Sequence, residues 1–105
     1  MEFYSCNLKA DDCKQMAELY ARVFAWEILQ AEEKHAELVS AQGTRILFNK
    51  QSEACPVQAG TLTVKAEPDD LAKLVKAEFT LESQPDGYPY ASVRDKEGNR
   101  IWLYF

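Results

Sequence analysis

The sequence contains an internal repeat, and this repeat limits the folds that are open to the chain. Two segments have similar lettering, "NLKADDCKQMAEL" and "TVKAEPDDLAKLV", and the lysines they share, Lys9 and Lys65, lie 56 residues apart in a chain of 105. A spacing near half the chain is typical of a duplicated structural unit. Each segment reads as the end of a strand followed by the start of a helix. We therefore expect two copies of one supersecondary unit.

The first half of the chain predicts the element order βαβββ. Apolar and polar residues alternate in "EFYSCNLKA", and a helical apolar stripe follows Asp12, which with Gln15 resembles a capping box. Three strand candidates come next, "WEILQ", "HAELVSA" and "TRILFNK".

The second half repeats this order. "TLTVKA" alternates, Pro68 can begin a helix, and the strands "TLES" and "YPYASVR" and the closing strand follow, separated by the turns "QPDG" and "DKEGN". The segment "QSEACPVQAG" joins the halves and is too short for a flexible domain linker. We predict a single α+β domain over residues 1–105, with module one at about 1–51 and module two at about 57–105.

Composition argues against several classes of function. Apolar residues make up 47% and charged residues 28%, as in ordinary globular domains. No apolar run approaches the about 20 residues of a membrane-spanning helix. A net charge of −5 without a basic cluster argues against nucleic acid binding. The N-terminal lettering lacks a basic start followed by an apolar stretch, so we expect no signal peptide, no membrane partner and a cytoplasmic location.

The cysteines and glycines predict no covalent chemistry. Cys6, Cys13 and Cys55 form no CxxC pair, and an odd count without a secretion signal favours reduced thiols that serve as packing residues. The chain has no G-x-S-x-G element and no Gly-rich phosphate loop. We predict no catalytic residue.

The closing strand presents two contrasting faces. In "DKEGNRIWLYF" one face is aliphatic and aromatic, whereas the other carries Arg100, Trp102 and Tyr104. That second face is too aromatic for plain solvent exposure and too polar for a dry interior. The length of the preceding loop predicts how the last two strands pair. The expected cross-strand pairs are Tyr90 with Tyr104, Ser92 with Trp102 and Arg94 with Arg100.

Two tandem βαβββ units that close on "VRDKEGNRIWLYF" resemble the vicinal oxygen chelate superfamily, which includes glyoxalases and bleomycin-resistance proteins. The terminal hairpin of that family commonly reads F-x-D-P-D-G-N-x-I-E-L, and residues 93–101 follow it closely. The first helix is also similar, at Asp12, 19–20 and 24–26. The resemblance implies a glyoxalase-like fold, in which the two modules form a curved mixed sheet around a cleft.

The resemblance also locates the family's metal ligands. In metal-using relatives, His, Glu or Gln side chains from the first and fourth strands of each module hold a divalent cation. Carried over one at a time, the four positions fall at Ser5, Arg45, Thr61 and Trp102. Neutral hydroxyl groups are weak metal ligands, a guanidinium repels a metal cation, and an indole has no lone pair in the ring plane with which to bind one. We therefore expect neither a metal ion nor another cofactor.

The predicted function is that of a metal-free small-molecule-binding protein, which holds an aromatic or planar ligand in a concave cleft. The charge of the ligand stays open: the net negative charge of the chain favours a cation, whereas Arg45, Arg94 and Arg100 favour an anion, and an aromatic anion or neutral compound is slightly preferred. The expected partners are this ligand and a second copy of the chain in a homodimer. The predicted ligand-binding residues are Ser5, Asn7, Arg45, Leu47, Thr61, Thr63, Tyr90, Ser92, Arg100, Trp102 and Tyr104.

Three alternatives stay open. In the first alternative, the chain is a metal-dependent lyase, isomerase or dioxygenase of the same superfamily with non-standard ligands such as His35 and Glu37. The preferred interpretation of these two residues is a solvent-facing edge pair. In the second alternative, Trp102 and Tyr104 are core or interface residues, and the arginines nearby are solvent-exposed charges. In the third, the chain is a regulatory or assembly module.

Overall fold

The computed structural model describes residues 1–105, which form two helices and eight strands in the order βαβββ followed by βαβββ. The first set comprises β1 (Ser5–Lys9), α1 (Cys13–Phe24), β2 (Glu27–Ala31), β3 (His35–Val39) and β4 (Arg45–Asn49). The second set comprises β5 (Thr61–Lys65), α2 (Pro68–Lys76), β6 (Thr80–Ser83), β7 (Tyr90–Arg94) and β8 (Arg100–Tyr104). The predicted α+β class is confirmed. Neither helix has the length and apolar character that crossing a membrane requires.

Each set of elements contains one four-stranded mixed sheet. The strand orders are β1-β4-β3-β2 and β5-β8-β7-β6, with the first strand of each set parallel to the last and the other pairs antiparallel. The identical topology shows that the sequence repeat is a structural repeat. The chain divides into two compact units, unit 1 (residues 1–58) and unit 2 (residues 59–105).

The core of unit 1 lies between α1 and one face of its sheet. The Asp12 carboxylate caps α1 by accepting a hydrogen bond from the Gln15 N–H at 3.1 Å. Tyr20 is buried and meets the Phe48 ring edge-on, with 4.8 Å between the centroids. The helix ends at Phe24, and its C-cap residue Ala25 has a left-handed φ of 58°. The β4 residues that alternate with Phe48 therefore lie on the sheet face opposite α1.

The core of unit 2 is built in the same way. Helix α2 begins at Pro68, as the sequence predicts, and its Leu74 is buried together with the aliphatic residues Ile101 and Leu103 of β8. The intervening Trp102 is half-buried, and Tyr104 is 51% exposed. The contrast between the two faces of β8 that the sequence predicts is thus present.

A buried hydrogen-bond network holds the hairpin between β7 and β8. The Asp95 carboxylate accepts hydrogen bonds from the backbone N–H groups of Glu97 and Asn99 and from the Asn99 side-chain amide, each at 2.9 Å. Oδ1 of Asn99 accepts a hydrogen bond from the Gly60 N–H at 3.0 Å. Gly98 has a φ of 87°, which favours glycine. The network links the end of β7 and the start of β8 to the residue that precedes β5.

Three expectations about the fold are wrong. His35 and Glu37 are not an edge pair, because β3 lies between β4 and β2 inside the sheet. The first strand begins at Ser5 rather than Glu2, because its partner β4 begins directly beside Ser5. Cys55 is exposed in the segment that joins the modules, which contributes no buried hydrophobic side chain to the core.

Asn99 is fully buried, so we expect Asn99→Ala to leave the Gly60 N–H and the Asp95 carboxylate short of a partner. The expected loss is about 2–4 kcal/mol in the free energy of unfolding, measured by urea denaturation. Gln42→Ala, at an exposed hairpin turn of unit 1, is the control and should change stability by less than about 0.5 kcal/mol. Equal stability of the two variants would contradict this role for the network.

Candidate functional site

A groove of about 300 Å³ opens on unit 2. Its lining residues are Thr63, Tyr90, Trp102, Leu103 and Tyr104. The strand register explains why they meet, since Thr63 lies beside Trp102 in the parallel ladder and Tyr90 lies opposite Tyr104 in the antiparallel one. Four of the predicted ligand-binding residues are therefore brought together on three adjacent strands.

The rings of Tyr90 and Trp102 form an aromatic corner. Their centroids lie 5.4 Å apart at an interplanar angle of 82°. Tyr88 extends the aromatic surface, with its ring centroid 5.5 Å from that of Tyr90. In a perpendicular corner, a third ring can stack on one wall and meet the edge of the other. The groove thus suits a planar ring.

A charged cluster lies on the same face of the sheet. Glu82, in the bulge of β6, accepts hydrogen bonds on Oε2 from Nε of Arg94 and on Oε1 from Nε of Arg100, the latter at 2.5 Å. The Ser92 hydroxyl also donates to Oε1, at 3.3 Å. Hydrogen bonds from Arg100 and then Arg94 lower the pKa of Glu82 to about 2. Two guanidinium groups share one carboxylate, so the cluster is net positive.

The other predicted residues of unit 2 share this face of the sheet. Thr61 lies beside Arg100 in the parallel ladder. The predicted pairing of the last two strands is confirmed. The observed pairs are Tyr90 with Tyr104, Ser92 with Trp102 and Arg94 with Arg100.

The four predicted residues of unit 1 lie on the sheet face opposite α1. Ser5 is beside Arg45, and Asn7 is beside Leu47, in the parallel pairing of β1 with β4. The Ser5 hydroxyl donates a hydrogen bond to Oδ1 of Asn7 at 2.9 Å. Leu47 is only 7% exposed.

On this unit 1 face, Arg45 forms an ion pair within a small polar cluster. Its Nη1 and the Tyr4 hydroxyl both donate to Oε1 of Glu37, each at 2.7 Å. The hydrogen bond from Tyr4, with a further contribution from Arg45, holds the pKa of Glu37 below its usual range despite the opposing effect of burial. Nδ1 of His35 is hydrogen-bonded to the Asn49 side-chain amide at 2.8 Å. Both candidate metal ligands on β3 therefore have protein partners.

The chain matches no family model and no curated protein. Solved structures do match it, among them a lactoylglutathione lyase from Agrobacterium tumefaciens, 18% identical, with a TM-score of 0.73 over 98% of this chain and 92% of the other. A possible glyoxalase from Bacillus cereus is 14% identical, with a TM-score of 0.74 over 100% and 99% of the two chains. The fosfomycin resistance protein FosX from Mesorhizobium loti is 10% identical, with a TM-score of 0.72 over 98% and 90%.

This chain has the vicinal oxygen chelate fold. The predicted glyoxalase-like architecture of tandem βαβββ modules is thereby confirmed. At such low identity the likeness concerns the fold, and the activity has to be argued from the residues of the site.

The residues of this chain do not fit the divalent cation that the vicinal oxygen chelate fold implies. Nowhere in residues 1–105 do three or more His, Cys, Asp or Glu side chains group so that they could hold a metal ion. Ser5 and Arg45, at the first two carried-over positions, lie side by side, and the guanidinium charge opposes a cation there. Trp102, at the fourth position, offers a ring instead of a carboxylate.

Sequence reasoning missed two residues, Tyr4 and Glu82. A signal for Glu82 existed, since a hairpin between "TLES" and "YPYASVR" brings that carboxylate close to Arg94. Strand alternation in "EFYSCNLKA" covers Tyr4 but did not indicate its contact with Glu37, because Tyr4 precedes β1 and its hydroxyl meets Glu37 through tertiary contact alone.

The Glu82 carboxyl should titrate far below its ordinary pKa of 4.5. A lowered folded-state pKa means that the ion pairs of Glu82 stabilise the fold above pH 4.5 and lose this effect as the pH falls towards about 2. Side-chain carboxyl ¹³C NMR measures the pKa directly. Arg100→Gln should raise it towards 4.5, whereas Arg22→Gln, at an exposed position of α1, should leave it unchanged. Titration of wild-type Glu82 near 4.5 would contradict the geometry.

Proposed function

We propose that this chain is a small-molecule-binding protein that holds a planar aromatic ligand in the groove of unit 2 without using a metal ion. The perpendicular corner formed by Tyr90 and Trp102 carries the proposal. Ring stacking contributes about 0.5–1.5 kcal/mol per aromatic pair beyond area burial, so this corner favours an aromatic ligand over an aliphatic one.

The surroundings of the corner support the same function. Thr63 and Tyr104 contribute hydroxyl groups to a largely aromatic lining, a combination that orients a ligand as well as holding it. The half-exposed Tyr104 is accessible from solvent. The proteins of similar fold named above include one for lactoylglutathione and one for fosfomycin resistance, and small-molecule recognition on this fold agrees with the proposal.

Indole NMR tests the proposal, because the chain has only two tryptophans, Trp26 and Trp102. In a ¹⁵N-labelled Trp26→Phe protein, titration with 2-naphthylacetamide should shift the Trp102 indole N–H resonance saturably. The Trp102→Phe protein retains Trp26 in unit 1, where it stacks on Phe24, and that resonance should not move. Tyr90→Ala should weaken binding up to about tenfold by removing one aromatic wall. No saturable shift at Trp102 with this or other planar aromatic probes would overturn the proposal.

Metal content tests the metal-free part of the proposal against the enzymatic alternative. Elemental analysis of purified protein should find no stoichiometric nickel, zinc, iron or manganese, because the carried-over positions offer no strong ligand. Stoichiometric metal that disappears in His35→Ala would instead favour a metal-dependent lyase, isomerase or dioxygenase. The homodimer stays a prediction, which size-exclusion chromatography with light scattering measures.

A further inference from the structure

We propose that Arg94, Arg100 and Ser92 form a carboxylate subsite beside the groove, and that the ligand of the groove is an aromatic carboxylate. In this structure the side chain of Glu82 occupies the subsite and acts as an internal competitor. The inference rests on the function proposed above, because it specifies the charge of the ligand held by the same groove.

The guanidinium groups of Arg94 and Arg100 lie close together, and an anion between them offsets their mutual repulsion. Arg94 and Arg100 are direct cross-strand partners, and like charges in such positions repel. Instead of pointing apart, their guanidinium groups converge on one carboxylate. Hydrogen bonds between guanidinium and carboxylate groups are about twice as strong as neutral ones. The pair therefore has the geometry of a carboxylate receptor.

Two further contacts show that the receptor is built into the sheet. Ser92 is fully buried, and its hydroxyl donates to the same carboxylate. Arg94 also donates from Nη1 to the Gly98 carbonyl oxygen at 2.9 Å, so its guanidinium has an anchor other than Glu82. Donors held in place before binding lose less conformational entropy when a ligand arrives.

The subsite adjoins the aromatic corner. Ser92 lies directly opposite Trp102, and Arg100 lies two residues before Trp102 on the same strand face. Two residues along a strand span about 7 Å. This backbone spacing places the arginines within reach of a short spacer from a ring on Trp102, and arylacetates carry their carboxylate on such a spacer.

Glu82 is positioned to leave without disrupting the sheet. It sits in the β-bulge of β6, where Leu81 and Ser83 have ladder partners and Glu82 has none, and β6 is an edge strand. Its side chain is 28% exposed, so it can rotate into water. The Glu82 carboxyl is ionised at neutral pH, so a ligand carboxylate competes with a charged group for the same donors.

The test compares 2-naphthylacetate with 2-naphthylacetamide, which have the same shape and differ in charge. Both are titrated into Trp26→Phe protein while the Trp102 indole resonance is followed. The acetate should bind more tightly than the amide. Glu82→Gln removes the competitor and should raise acetate affinity about tenfold, while amide affinity stays within about twofold. Glu27→Gln, at an exposed position of unit 1, makes the same change in net charge and should alter neither affinity.

The outcomes of the titrations separate failure of the proposed function from failure of the carboxylate subsite. If neither probe shifts the Trp102 resonance, the proposed function fails and this inference fails with it. If both probes bind equally in every variant, the groove binds aromatic rings but the carboxylate subsite is refuted. Should Glu82→Gln not fold, Arg100→Gln decides: loss of the preference for the acetate supports the subsite, and an unchanged preference overturns it.

Discussion

The arrangement of the groove depends on the buried hydrogen bonds between Asp95, Asn99 and Gly60. They fix the β7–β8 hairpin and join it to the start of β5, so they determine which residues of three strands face the same way. Because strand side chains alternate, a slip of one residue would move every groove residue to the opposite face of the sheet. A turn with no chemistry of its own thus determines where the indole of Trp102 lies.

Local sequence patterns predicted most of the fold. Strand alternation, helix starts at Asp12 and Pro68, and the terminal turn act over a few residues, and each can be read without knowing the rest of the chain. The pairing of Ser92 with Trp102 followed from loop length for the same reason. Strand order is different. β3 lies inside the sheet because it pairs with both β2 and β4, and nothing within β3 itself records that position.

The charges of the site were the least predictable part. Strand alternation placed Arg100 and Trp102 on one face of the sheet. The partner of Arg100 is Glu82, which a bulge on an edge strand brings into reach. Bulges depend on tertiary packing and sheet twist more than on local lettering. Similarly, sequence patterns did not reveal that Glu37 is hydrogen-bonded to Tyr4, because Tyr4 lies outside any regular element. Sequence patterns therefore predicted which aromatic residues share a sheet face and left the counter-ions of the arginines undetermined.

Comparison of the two repeats supports the choice of the unit 2 groove over unit 1 as the proposed binding site. Arg45 and Arg100 are equivalent, since each begins the last strand of its unit, and each is paired with a glutamate. In unit 1 the glutamate is Glu37, which is paired with neighbours on both sides inside the sheet and is 12% exposed. In unit 2 it is Glu82, outside the ladder and more exposed. A carboxylate fixed inside the sheet neutralises its arginine permanently, whereas the proposed exchange with a ligand carboxylate needs one that can move away, as on a bulge. The repeat thus places the same cation twice, and the position of its counter-ion is what separates the ion pair of unit 1 from the proposed receptor of unit 2.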